Sequence, residues 1–276
     1  MGCVGISGCV KKAADTRSDW CRRAMSTTVS IITPTYRRQY LLPAIYRCLS
    51  HQTFTDFEWL VLDDSDDADR FLPGLSDRRV VYVHETRRRS VGEKRNILID
   101  RARGDIIAHF DDDDYYGPDY LSQMLSALRT VDFVKLLGFF IYARQQKVLA
   151  YWNLQSTAGP HYRMSATSIN LTTIVKKDNT LGYGFSYLYR RRVWDHVKFP
   201  DVGWNEDEPF ALQASQKFKM IGIHDTGCSC LHILHGANTS DCFPQFLIPN
   251  FMLDRIFPGL DGYFHSARGQ SPEPGG

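Results

Sequence analysis

The 276 residues are enough for one large α/β domain or two small ones, and 43% hydrophobic against 23% charged residues is the balance of a globular chain with a sizeable core. A formal net charge of +2 carries no polyanion-binding signature, which argues against a nucleic-acid partner, and no apolar run approaches the about 18 residues of a spanning helix. Seven cysteines, odd in number and irregular in spacing, argue against a disulfide framework, so the expectation is reduced thiols in a cytoplasmic protein, with peripheral contact to a membrane left open.

Residues 1–26 are small, polar and aperiodic and read as a flexible tail. Gly2 and Cys3 suggest an acylated start, but Ile6 stands where that pattern wants Ser or Thr. From residue 29 a rhythm begins. VSIIT (29–33) reads as a buried strand. Leu41, Leu42, Ile45 and Leu49 have helical spacing, with Pro43 in the tolerant first turn. FEWLVL (57–62) and VVYVH (80–84) are two more strands, EKRNILIDRARG (93–104) a helix stopped by Gly104, and DIIAHF (105–110) a fourth strand. Pro118 opens a helix with Leu121, Met124, Leu125 and Leu128 on one face. Residues 131–188 hold β-rich runs, FVKLLGFFIYA, KVLAYWNL and TSINLTTIV. A helix near 190–197 follows, then another after GWNEDEPF with Phe210, Ala214 and Phe218 inward, and a strand at MIGIH (220–224). The end, SARGQSPEPGG, has the composition of a disordered tail.

Alternating strands and helices predict an α/β fold: a mainly parallel central sheet with helices on both faces and a smaller mixed β region in the second half. One domain, 27–262, is expected to divide into a first half (27–130) and a second half (131–262), and 263–276 is read as a tail. Ligands of such sheets bind beyond the carboxyl ends of the strands. That rule selects Pro34, Thr35, Tyr36 and Arg37 after the first strand, Asp63 and Asp64 after the second, and the four aspartates 111–114 after the fourth.

Carboxylates so tightly packed repel one another, so some must be neutral, solvated or metal-bound. Mg²⁺ or Mn²⁺ commonly takes one or two protein carboxylates, with phosphate and water completing its shell, and neutralises charge developing on a leaving phosphate. A solvated turn of the sequence DDDDYYGP explains the same residues without a ligand.

VSIITPTYRR, WLVLDDSDD and SVGEKRNILIDRARGDIIAHFDDDDYYGPDYL together resemble the family 2 glycosyltransferases of the GT-A fold, over about 28–240 and most strongly over 28–130. The resemblance implies an inverting, metal-dependent sugar transferase that uses a nucleotide diphosphate sugar, with 27–130 as its nucleotide-binding half and 131–262 as its acceptor-binding half. UDP is favoured, and the acceptor is a glycan, a lipid-linked molecule or a protein. It assigns residues 34–37 and Asp64 to base and ribose, with Tyr36 free to stack on the base or simply to pack its turn, and Asp63 either to the nucleotide or to a turn. Lys94, Arg95 and Asn96 match an R-N element that faces the nucleotide. Within the acidic run, the family's D-x-D frame falls on Asp111 and Asp113 and makes Asp113 the principal metal ligand and Asp111 a ribose or metal contact, with Asp112 and Asp114 as substitutes one register away.

In the second half the resemblance implies a general base in an E-D pair, here Asp207 with Glu206 beside it; helix-start acids stabilised by the macrodipole are the plain alternative. A late histidine, His235 before His232, joins the metal or diphosphate. Arg190 and Trp204 are weaker contacts to diphosphate or acceptor. The rival functions are a nucleotidyltransferase of similar fold, disfavoured by the glycine-free TPTYRRQY loop, and an inactive nucleotide- or glycan-binding module.

Overall fold

The computed structural model describes residues 29–173, 179–236, 238 and 241–268. The expected N-terminal tail with its Gly2–Cys3 start, residues 174–175 of the TSINLTTIV run, and 269–276 lie outside the described residues.

Strand β1 (Val29–Thr35) is followed by helix α1 (Leu42–Ser50), then β2 (Phe57–Asp63), β3 (Val80–His84), helix α2 (Val91–Arg101) and β4 (Ile106–His109). These strands lie side by side in the order β3-β2-β1-β4, all parallel. Side chains alternate across the sheet. Val29, Ile31, Trp59 and Val61 join α1 in one core, whereas Ile32, Leu60 and Leu62 join Leu98 and Ile99 of α2 in the other. Helices therefore cover both faces, as expected.

The second half extends the sheet with mixed polarity. After the two-residue β5 (Tyr115–Tyr116) and helix α3 (Tyr120–Leu128) come the long β6 (Phe133–Ala143), β7 (Val148–Asn153) and a separate hairpin of β8 (His161–Met164) and β9 (Ile169–Thr172). β10 (Leu188–Arg190) stitches the halves together, antiparallel to both β4 and β6. Helices α4 (Arg191–His196) and α5 (Asp207–Ser215) follow. Then β11 (Met220–His224) and β12 (Cys230–Leu234) run parallel to β6, and β13 (Phe246–Ile248) caps the β7 edge.

Two expected boundaries shift. Helix α2 ends at Arg101, not at Gly104, because β2 captures the turn that follows. Glu58 accepts from the Arg103 N–H at 2.6 Å, from its Nε at 2.7 Å and from Ser30 Oγ at 2.6 Å, and Ser30 Oγ in turn takes the Gly104 N–H at 2.8 Å. The domain does not close at 262. After the short helix α6 (Leu253–Ile256), helix α7 (Leu260–Arg268) buries Leu260, Tyr263 and Ala267 in the core that α1 shares. Its polar composition hides the three-residue apolar stripe from a reading by content alone.

Candidate active site

The carboxyl ends of β1 and β4, the start of α2, the turn before β10 and the start of α5 enclose a cleft of about 1400 Å³. Pro34, Thr35, Tyr36 and Arg37 line one wall. Arg37 adopts φ 52, a left-handed conformation held by its N–H donating to Ser65 Oγ at 2.6 Å. The Arg88 guanidinium lies 3.5 Å from the Tyr36 ring centre, so this ring presents a face that already accepts a planar cation.

The four aspartates take four different roles. Asp111, the most open, accepts from Arg95 Nη2 at 3.1 Å. Asp112 accepts from Thr35 Oγ1 at 2.6 Å and Arg38 Nη1 at 3.0 Å, and burial pushes its carboxyl up to about 6. Asp113 accepts from the same Arg38 Nη1 at 2.7 Å and contacts His235 Nε2 at 3.0 Å. Burial alone would raise it, but the His235 hydrogen bond and the Arg38 charge outweigh burial and hold it well below the ordinary carboxylate range. Asp114 is fully buried, bonded to His232 Nδ1 at 2.8 Å and the Ile233 N–H at 3.0 Å. Burial works to lower His232, yet the Asp114 carboxylate overrides it and raises the imidazole well above its usual value. Asp111, Asp112 and Asp113 line the cleft and Asp114 does not. Each histidine of the HILH sequence meets one aspartate of the run.

Helix α2 points three adjacent residues in three directions. Its N-cap Ser90 accepts from the Glu93 N–H at 3.0 Å. Lys94 is buried between Asp64 Oδ1 and the Thr35 carbonyl, each at 2.8 Å, and burial lowers its pKa. Arg95, equally buried, bridges Asp111 and Glu206, with Nε to Glu206 Oε1 at 3.0 Å. Burial opposes its charge, but the two carboxylates more than restore it. Burial in turn raises the Glu206 carboxyl, against the pull of Arg95. Arg95 thus joins the acidic run of the first half to the E-D pair of the second. Beside Glu206, Asp207 lines the cleft, its Oδ2 accepting from the Gly184 N–H at 2.7 Å and its Oδ1 from the Glu208 N–H at 2.9 Å. Trp204 stands 64% exposed on the same rim, next to Asn205 at φ 58.

Four expected contacts sit elsewhere. Asp63 is wholly buried and accepts from the Ser65 N–H at 3.0 Å and the Tyr82 hydroxyl at 2.9 Å, so it shapes the turn after β2. Asp64 lies behind the cleft, clasped by Arg88, Lys94 and the Arg89 N–H; the Arg88 and Lys94 that hold it do line the cleft. Asn96 faces away, bonding the Phe199 carbonyl at 2.8 Å and Trp194 Nε1 at 2.8 Å to dock α2 on the α4 region. Arg190 extends toward the Val131 carbonyl and Asp132, on the other side of β10. Conversely, Arg38, Arg88, His109 and Gly184 were not singled out as site residues. The second arginine of YRR and a histidine inside the apolar DIIAHF run were the available signals.

The model for glycosyl transferase family 2 matches residues 30–197. The chain belongs to that family.

Among relatives of this family 2 glycosyltransferase is WcaA of Escherichia coli K12, named as a colanic acid biosynthesis glycosyl transferase. It is 29% identical over 247 residues, which cover 87% of this chain and 80% of WcaA. The GalNAc(5)-diNAcBac-PP-undecaprenol beta-1,3-glucosyltransferase of Campylobacter jejuni is 32% identical over 105 residues, 36% of this chain and 33% of that protein. Among solved structures, S. aureus TarS 1-349 in complex with UDP-GlcNAc superimposes with a TM-score of 0.57 at 17% identity, over 76% of this chain and 60% of TarS 1-349, a likeness of fold. Among the described residues no helix is long and apolar enough to cross a membrane, and Cys48, Cys228, Cys230 and Cys242 are unpaired.

Proposed function

We propose that this glycosyltransferase moves a sugar from a nucleoside diphosphate sugar, a UDP-sugar first among them, to an acceptor hydroxyl with inversion. The observation that carries the reading is the Arg95 bridge, which sets the D-x-D aspartates and the E-D pair in one cleft. The base and ribose fit against Pro34, Thr35 and the Tyr36 ring, whose face Arg88 now covers. Asp207, half-buried at the start of α5, takes the acceptor proton, and Glu206 is committed to Arg95 as its neighbour.

Among the described residues no group of three or more His, Cys, Asp or Glu forms a ready cation cage. The donor set nevertheless fits a cation that the diphosphate helps to hold, since Mg²⁺ or Mn²⁺ needs only one or two protein ligands there. Asp113 and His235 touch, and Asp111 opens to the cleft. Asp113, His235 and Asp111 would hold the ion, which when bound supplies charge neutralisation to the leaving diphosphate. Arg38, paired with both Asp112 and Asp113, keeps these carboxylates from repelling one another and sits at the diphosphate side.

The names of the relatives, one of colanic acid biosynthesis and one a glucosyltransferase of GalNAc(5)-diNAcBac-PP-undecaprenol, favour a glycan or lipid-linked acceptor, and the UDP-GlcNAc bound to TarS favours uridine. Exposed Trp204 is suited to stack on a sugar face. The test is nucleoside diphosphate release across a panel of nucleotide sugars, with Mn²⁺ and with EDTA, on wild type and Asp113→Ala. Release of one nucleotide that needs the ion and is lost in the variant is the expected result. Absence of both release and ion-dependent nucleotide binding would leave a non-catalytic binding module.

A further inference from the structure

Arg95 gives each of its three nitrogens one partner. Nε reaches Glu206, Nη2 reaches Asp111, and Nη1 reaches Nδ1 of His109 at 3.0 Å. A guanidinium can only donate, so Nδ1 must be the bare, accepting nitrogen of a neutral imidazole. The proton then sits on Nε2, which lies 3.1 Å from the Tyr189 hydroxyl and donates to it. The Gly184 carbonyl is also 3.0 Å from Nδ1 and would accept from an Nδ1–H, so the two contacts call for opposite tautomers; Arg95, which can only donate, favours the bare nitrogen, and the carbonyl already accepts from the Tyr187 N–H at 3.1 Å. His109 is fully buried among Tyr187, Tyr189 and Phe199.

We propose that His109 is a positioning residue: its neutral Nε2–H imidazole fixes the rotation of the Arg95 guanidinium that ties Asp111 to Glu206. Arg95 already faces two carboxylates. A third at position 109 would add negative charge where a diphosphate must approach, and an apolar side chain would leave Nη1 unpaired and the guanidinium free to swing. A neutral acceptor locks the fork without changing the charge of the site. The inference rests on the cleft being the transfer site, and its consequence is that two carboxylates from opposite halves of the fold keep a fixed separation.

Two measurements test it. In ¹⁵N-histidine-labelled protein, with His109 assigned by its absence in His109→Gln, the expected ring has a hydrogen on Nε2 and none on Nδ1. A hydrogen on Nδ1 overturns the proposal, and this result stands whether or not a donor has been found. Steady-state kinetics supply the second. His109→Phe keeps a ring but removes the acceptor and is expected to lower kcat at least about tenfold with donor KM within about threefold, as misplacement of catalytic groups does. His109→Gln, whose amide oxygen accepts, is expected to recover kcat to within about threefold of wild type. Wild-type kcat in the Phe variant, or equal loss in Phe and Gln variants that melt alike, overturns the proposal. A wild type that releases nucleotide from no donor sinks the functional reading instead and leaves the tautomer to decide the role of His109.

Discussion

A methyl group at position 184 would sit 2.9 Å from Asp207 Cβ and 3.3 Å from its Oδ2. Glycine there lets the backbone N–H approach Asp207 Oδ2 to 2.7 Å, and the preceding Tyr183 turns through φ 64 to deliver it. Gly184→Ala is therefore expected to displace the Asp207 carboxylate and lower kcat by about tenfold or more, with little change in melting temperature. A variant with wild-type kcat would show that this contact does not aim the carboxylate. At this scale the sequence named the acidic groups of the cleft but not their directions. Asp63 and Asp64 follow the same strand as a nucleotide motif would have them, yet the Ser65 turn folds both carboxylates inward. Lys94, Arg95 and Asn96 are neighbours in the chain but about 100° apart around a helix, so only the packed structure shows that Arg95 bridges the halves while Asn96 serves packing. Of the four consecutive aspartates, Asp111, Asp112 and Asp113 line the cleft, and Asp114 is claimed by His232 and β12.

At the scale of elements, the turn between α2 and β4 is held by a single acid from β2. Burial pushes Glu58 up, but the Ser30 hydroxyl, the Arg103 N–H and the Arg103 guanidinium outweigh it and leave the carboxyl below its ordinary value. A depressed folded-state pKa stabilises the fold fully above the unfolded value of about 4.3 and loses that contribution as pH falls through and below it. Glu58→Gln is thus expected to lower stability at pH 7 by about 1–3 kcal/mol and to flatten the loss of stability between about pH 5 and pH 3. Denaturant unfolding at both ends of that range measures it, and a variant that loses stability in parallel with wild type would remove Glu58 from the acid response. Elements with long apolar or periodic runs, β1 to β4, α2, β6 and β7, were legible because burial on both faces or on one stripe leaves its period in the sequence. The short β5, β10 and β13 were not, since two or three residues carry no period. Residues 263–268 of helix α7 read as tail because buried Tyr263 and Ala267 among polar neighbours resemble loop composition until α1 supplies their partner.

Over the whole molecule, the sheet is two sub-structures joined by β10, the short antiparallel strand between β4 and β6. The first half brings Tyr36 and the aspartates to the strand-end rim. The second brings Asp207 at the start of α5 and His232 on β12 to the same cleft, while His235, after β12, meets Asp113 from a neighbouring cavity. Family membership accounts for this architecture, and Arg95 is one of the side chains that tie the two rims together. The account stands on Asp207 acting as the base across from the D-x-D carboxylates. The most direct measurement is kcat and donor KM of Asp207→Asn against wild type, with the donor found by the panel and its acceptor. The amide keeps the shape and one of the two backbone N–H bonds, from Gly184 or from Glu208, but cannot take a proton. The account predicts a fall in kcat of about 10²–10⁴ with donor KM within about threefold. A kcat within threefold of wild type would contradict it and place the base elsewhere in the cleft.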